Sequence, residues 1–61
     1  MKSSELVRIL KKDGWFAVRQ KGSHIVMKHR TKTNQITVPS HGSHEVGTGL
    51  ANKILKDAGL K

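Results

Sequence analysis

Trp15-Phe16-Ala17-Val18-Arg19-Gln20-Lys21-Gly22-Ser23-His24-Ile25-Val26-Met27-Lys28-His29 is the stretch whose reading decides the fold. Between Gly14 and Gly22 the apolar residues cannot form one helical stripe, whereas Phe16 and Val18 alternate as a strand requires. Lys21-Gly22 reads as a two-residue hairpin turn in which Gly22 supplies positive φ. A second strand, Ser23 to His29, follows it. Counting back from that turn sets Gln20 opposite Ser23, Arg19 opposite His24, Val18 opposite Ile25, Ala17 opposite Val26 and Phe16 opposite Met27. Phe16, Val18, Ile25 and Met27 then share one face, which must be the core face. His24 is on the other, with Arg19 directly across from it.

Before this hairpin, Leu6, Ile9 and Leu10 stand at helical spacing over Ser4 to Lys12. Ser3 or Ser4 is the expected N-cap, Glu5 suits the first turn, Lys11 and Lys12 the last, and Gly14 the stop. After it, Thr31 to Asn34 reads as a loop and Gln35 to Pro39 as a third strand with Ile36 and Val38 on the core side. Pro39 cannot donate to a ladder and so ends the strand or lies at an edge. Ser40 to Gly47 is a loop. Ala51, Ile54, Leu55 and Ala58 then recur at i, i+3, i+4 and i+7, with Thr48 as expected N-cap and Gly59 as stop, the pattern of an amphipathic helix. The fold class is α+β: one domain over residues 1–61, ordered α-β-β-β-α, with both helices on one face of a three-stranded antiparallel sheet.

With 61 residues there is room for one small core. Twelve Lys and Arg face four Asp and Glu, a net charge of +8 that calls for a polyanion such as RNA or DNA, or for an acidic protein. A disordered basic tail is disfavoured because 34% of the residues are apolar and periodically placed. The absence of cysteine removes disulfides, thiolate metal sites and cysteine nucleophiles, and makes the cytoplasm the expected compartment. Neither a secretory leader nor an apolar stretch long enough to span a membrane is present in the sequence, so no membrane association is expected.

Four histidines are the side chains suited to proton transfer near neutral pH. His24 is set apart by its outward face and by Arg19, Lys21 and Lys28 around it. Such a site would gather phosphate beside an imidazole, as RNA cleavage by the neighbouring 2′-hydroxyl requires. If the third strand pairs with the second, Pro39 falls beside His24 and His41 approaches the site. His41 and His44, three residues apart in a glycine-containing loop, fall short of a zinc set, and the scattered Glu5, Asp13, Glu45 and Asp57 make no carboxylate cluster for a two-metal nuclease. No resident metal or cofactor is expected. Phe16 is assigned to the core, and Trp15, on the outer face near Lys28, is the candidate for stacking on a base. The same surface would also serve a non-catalytic RNA-binding module.

Gly14-Trp15, Arg19-Gln20-Lys21-Gly22-Ser23-His24, Thr37-Val38-Pro39-Ser40-His41 and Ile54-Leu55-Lys56-Asp57-Ala58-Gly59-Leu60 together resemble the HicA family of bacterial mRNA interferase toxins, over nearly the whole chain. The resemblance implies an α-β-β-β-α fold similar to a double-stranded RNA-binding domain. It also implies a ribonuclease acting on mRNA through one essential histidine, here His24, and held in complex by a HicB-type antitoxin. Gly22 and Ser23 carry over as the turn that positions His24. Arg19, Lys21, Lys28 and His41 complete the expected RNA contacts, and the free chain is expected to be a monomer.

Overall fold

A computed structural model describes residues 1–40 and 44–61 of the chain. The order is α1 (Ser3–Lys12), β1 (Trp15–Lys21), β2 (His24–His29), β3 (Gln35–Pro39) and α2 (Thr48–Asp57). The strands form one antiparallel sheet in the order β1-β2-β3. Both helices contribute to the single core, which includes Leu6 and Leu10 from α1, Met27, Ile36 and Val38 from the sheet, and Ala51, Ile54 and Leu55 from α2.

Helix α1 forms where Leu6 and Leu10, one turn apart, are fully buried and Val7 and Ile9 pack partly against the core. Its N-cap is Lys2 rather than the expected Ser3 or Ser4, and the Glu5 carboxylate accepts from the Lys2 N–H at 3.3 Å. Ser3 is instead drawn into the fold, where its buried hydroxyl donates to the Pro39 carbonyl. That bond ties the start of α1 to the end of β3. A short bridge pairs Lys2 with Glu45, supported by Ser3 N–H to His44 carbonyl at 2.9 Å and Val46 N–H to Met1 carbonyl at 2.8 Å. Thr48 is the first residue of α2, and Gly47 takes the N-cap position expected of it. The other end of α2 closes with Leu60 N–H to Leu55 carbonyl, 2.8 Å, and Gly59 N–H to Lys56 carbonyl, 3.0 Å, the paired bonds of a Schellman motif.

The first strand departs from the expected pattern. Trp15, assigned to the outer face, is 2% exposed in the core, whereas Phe16 and Val18, assigned to the core, are 43% and 47% exposed. Neighbouring strand residues point to opposite faces, so only one member of Trp15-Phe16 can be inside. Burying the indole wins on size: about 200 Å² at about 25 cal/mol per Å² is roughly 5 kcal/mol. The Trp15 Nε1 has no hydrogen-bond partner among the described residues, a cost of about 1–3 kcal/mol that does not reverse the balance.

Around the indole a polar knot joins three chain segments. The His29 ring meets Trp15 edge to face with centroids 5.3 Å apart. The Thr31 N–H donates to His29 Nδ1 at 3.1 Å, so Nε2 carries the proton and donates to the Asp13 carbonyl at 2.7 Å. Gly14, at φ +107°, carries the chain past this ring, and a Cβ there would stand 2.8 Å from His29 Nε2. Lys32 Nζ reaches Asp13 Oδ2 at 2.8 Å and the Ala58 carbonyl at 2.6 Å, and is 5.7 Å from the Trp15 ring centroid. Asn34 adds a bond to the Asp57 carbonyl, 2.8 Å. The loop before β3 thus fastens the ends of both helices.

Replacing Trp15 by Ala is expected to cost about 3–5 kcal/mol, a large part of the total for a chain of this size, whereas Phe16→Ala is expected to cost under about 1 kcal/mol. Urea unfolding of the two variants checks the assignment. The Lys32 hydrogen bond, with the Lys32 charge beside it, holds the Asp13 carboxyl below its ordinary 3.8. A depressed acid contributes stability that is present above the ordinary value and is lost as pH falls through the depressed folded one. The gap in thermal midpoint between the parent and Lys32→Met is therefore expected to be steady at neutral pH and to close below about pH 4, as unfolding scans across that range will show.

Candidate nucleic-acid interface

The hairpin turn occupies Gly22-Ser23 rather than Lys21-Gly22, with Gly22 at φ +60° in the first central position that a II′ turn reserves for positive φ. The register moves accordingly. Lys21 pairs with His24, Gln20 with Ile25 and Arg19 with Val26; beyond an irregularity between Ala17 and Arg19, Ala17 pairs with Met27, Phe16 with Lys28 and Trp15 with His29. On the other side His24 pairs with Pro39, Val26 with Thr37 and Lys28 with Gln35.

Met27 is fully buried beneath the helices and Ile25 packs against the core, so His24, Val26 and Lys28 face away from them. Cross-strand partners share a face. The outer surface therefore consists of three rows: Lys21, His24 and Pro39; Arg19, Val26 and Thr37; Phe16, Lys28 and Gln35. His24 is exposed at one end of this surface. The cation directly across from it is Lys21, not Arg19 as the sequence count had it; Arg19 is the diagonal neighbour, about 7–8 Å away between backbones. No acidic residue stands at any of these positions.

Trp15, Arg19 and Lys21 all carry odd numbers, and a regular strand would place them on one face. The extra residue Val18 changes the parity between them. Trp15 goes to the core while Arg19 and Lys21 reach the face that holds His24. The hydrophobic alternation of β1 gave no sign of this, because Phe16 and Val18 imitate a buried pair.

Gly22 and Ser23 support the site from the turn. A Cβ at Gly22 would meet nothing within 4 Å, so the backbone angle alone makes the position special. The Ser23 carbonyl accepts from the Ser40 N–H, which extends the β2–β3 pairing one step past Pro39. His41 follows Ser40 in sequence and itself lies outside the described residues. Lys28 takes its expected place on the outer face, across from Phe16. Among the described residues no three His, Cys, Asp or Glu side chains gather as a metal-holding group, and no helix is long and apolar enough to cross a membrane.

A family model described as HicA toxin of bacterial toxin-antitoxin matches residues 3–60. A curated relative from Pseudomonas fluorescens (strain Pf0-1), described as a probable mRNA interferase HicA, is 41% identical over 61 residues, covering 100% of this chain and 98% of the relative.

Deleting Val18 is expected to convert β1 into an uninterrupted ladder that keeps the Arg19–Val26 and Lys21–His24 pairs. Deleting Gln20 instead is expected to slide Arg19 opposite Ile25, on the helix-covered side. Cross-strand amide contacts in NMR spectra distinguish the two, and loss of the Arg19–Val26 contact in the Val18 deletion would contradict the parity role of the bulge.

Proposed function

The chain belongs to the HicA toxin family, and from that footing we propose that it is the toxin of a toxin-antitoxin pair, an endoribonuclease that cleaves mRNA without a resident metal, with His24 as its single catalytic histidine. The observation that carries this reading is the position of His24: exposed on the open face of the sheet, with Lys21 directly across, Arg19 diagonal to it and no carboxylate among the outer-face rows. The name of the Pseudomonas relative supports the activity.

In this reading Lys21 and Arg19 draw a phosphodiester against the imidazole and take up the extra negative charge of the phosphorane as it develops. The 2′-oxygen forms its bond to phosphorus and the bond to the 5′-oxygen breaks. One proton leaves the 2′-hydroxyl and one arrives at the 5′-oxygen, and His24 handles the proton at one of these oxygens. The products are a 2′,3′-cyclic phosphate and a 5′-hydroxyl. Gly22 and Ser23 hold the turn that presents His24, Lys28 binds a phosphate further along the strand, and His41 contacts the RNA from the segment after Ser40.

The partner is a HicB-type antitoxin, which blocks the toxin by covering the outer face of the sheet. The free toxin is a monomer that works in the cytoplasm.

His24→Ala is expected to leave the thermal midpoint almost unchanged, because the side chain is outside the core, and to slow RNA cleavage about 10²- to 10⁴-fold. The assay is incubation of RNA with purified protein in excess EDTA, followed by analysis of the product ends. RNA that is bound in a salt-dependent way but stays intact with the parent protein would establish the non-catalytic binding module instead.

A further inference from the structure

Among the outer-face residues that the cleavage chemistry leaves unused, Phe16 alone carries an aromatic ring. Phe16 is 43% exposed, and its pairing with Lys28 sets it on the same face as His24 and Arg19. Trp15 and Phe16 are the chain's only aromatic residues. With Trp15 sealed in the core, Phe16 is the one ring of the Phe, Tyr and Trp class open to a ligand. A single exposed apolar side chain is ordinary in itself. Its surroundings give this one a meaning: Lys28 is across from it, Arg19 stands beyond the bulge, and the face carries no acid. A flat ring among cations, on a surface that grips phosphate, is the arrangement that holds single-stranded nucleic acid by stacking. One strand spacing across and four residues along β2 separate Phe16 from His24, about 14 Å between backbones. That distance is within reach of one RNA strand lying along the sheet.

We propose that Phe16 stacks on an unpaired RNA base a few nucleotides from the bond cut at His24, with Lys28 holding the adjoining phosphate, and thereby selects which phosphodiester enters the site. The assignment rests on the ribonuclease reading above and adds the class of substrate: a single-stranded segment with its bases splayed out, not a duplex. The base anchored at Phe16 fixes the register of the strand, and His24 acts on whichever bond that register delivers.

The test uses the His24→Ala chain, which holds RNA without cutting it, and single-stranded RNA oligonucleotides carrying 2-aminopurine at successive positions. Phe16→Ala and Phe16→Leu are expected to weaken binding about 5- to 100-fold and to abolish the fluorescence quenching at one position, while Phe16→Tyr keeps both. The dependence of affinity on salt should be unaltered by Phe16→Ala and reduced by nearly one counterion by Lys28→Ala. With His24 intact, Phe16→Ala should spread cleavage over additional positions. Parental binding and quenching by Phe16→Leu would overturn the assignment, since Leu supplies apolar area without a stacking face. Unchanged RNA binding and cut sites together with a weakened antitoxin complex would also overturn it and make Phe16 a protein contact. A parent that neither binds nor cuts RNA overturns the ribonuclease reading along with this one, whereas normal cleavage with an indifferent Phe16 overturns this one alone.

Discussion

The constraint on which the rest depends is one of parity. Strand β1 must supply the largest core residue, Trp15, and also the two cations nearest His24, and these tasks lie on opposite faces of a sheet whose side chains alternate strictly. A single supernumerary residue, Val18, reconciles them. With a regular ladder the chain would have either an exposed indole or a histidine without its cationic neighbours. The β2 and β3 strands face no such conflict, and both run regularly: Met27, Ile36 and Val38 inward, His24, Lys28 and Thr37 outward.

Around that arrangement the core and the outer face of the sheet are kept separate. The polar knot of Asp13, His29 and Lys32 closes over the edge of the indole on the helix side and fastens the ends of α1 and α2. It uses one histidine as a structural bridge, with both ring nitrogens engaged. His24 has the opposite setting, out of the core and next to Lys21. The two histidines five residues apart on one strand thus face opposite sides of the sheet.

Much of this was legible in the residues. Both helices announce themselves through apolar spacing and glycine stops, β3 through Ile36 and Val38, and the outward position of His24 through the alternation of Ile25 and Met27. Less legible was anything that depended on β1. A bulge has no residue signature here: Phe16 and Val18 present the alternation of a core-facing strand, and Trp15-Phe16 offers two aromatics of which packing alone selects one. The turn erred by one residue because Lys21-Gly22 and Gly22-Ser23 both place a glycine where positive φ is wanted. With the turn went the register, and with the register the partner across from His24. The capping role of Ser3 failed for a different reason, since its hydroxyl is claimed by the Pro39 carbonyl, a contact 36 residues distant that no local pattern reveals.

The break at Val18 has a further consequence for behaviour in solution. β1 is an edge strand, and seven regular residues bearing exposed Phe16 and Val18 would offer other chains a template for strand addition. The bulge divides that edge into two runs of three, Trp15 to Ala17 and Arg19 to Lys21, and twists one against the other. The second run carries two positive charges that repel the same edge of another copy. The irregularity that steers two cations toward His24 thus also blunts the edge against aggregation, protecting a basic chain that must stay soluble long enough to meet its polyanion.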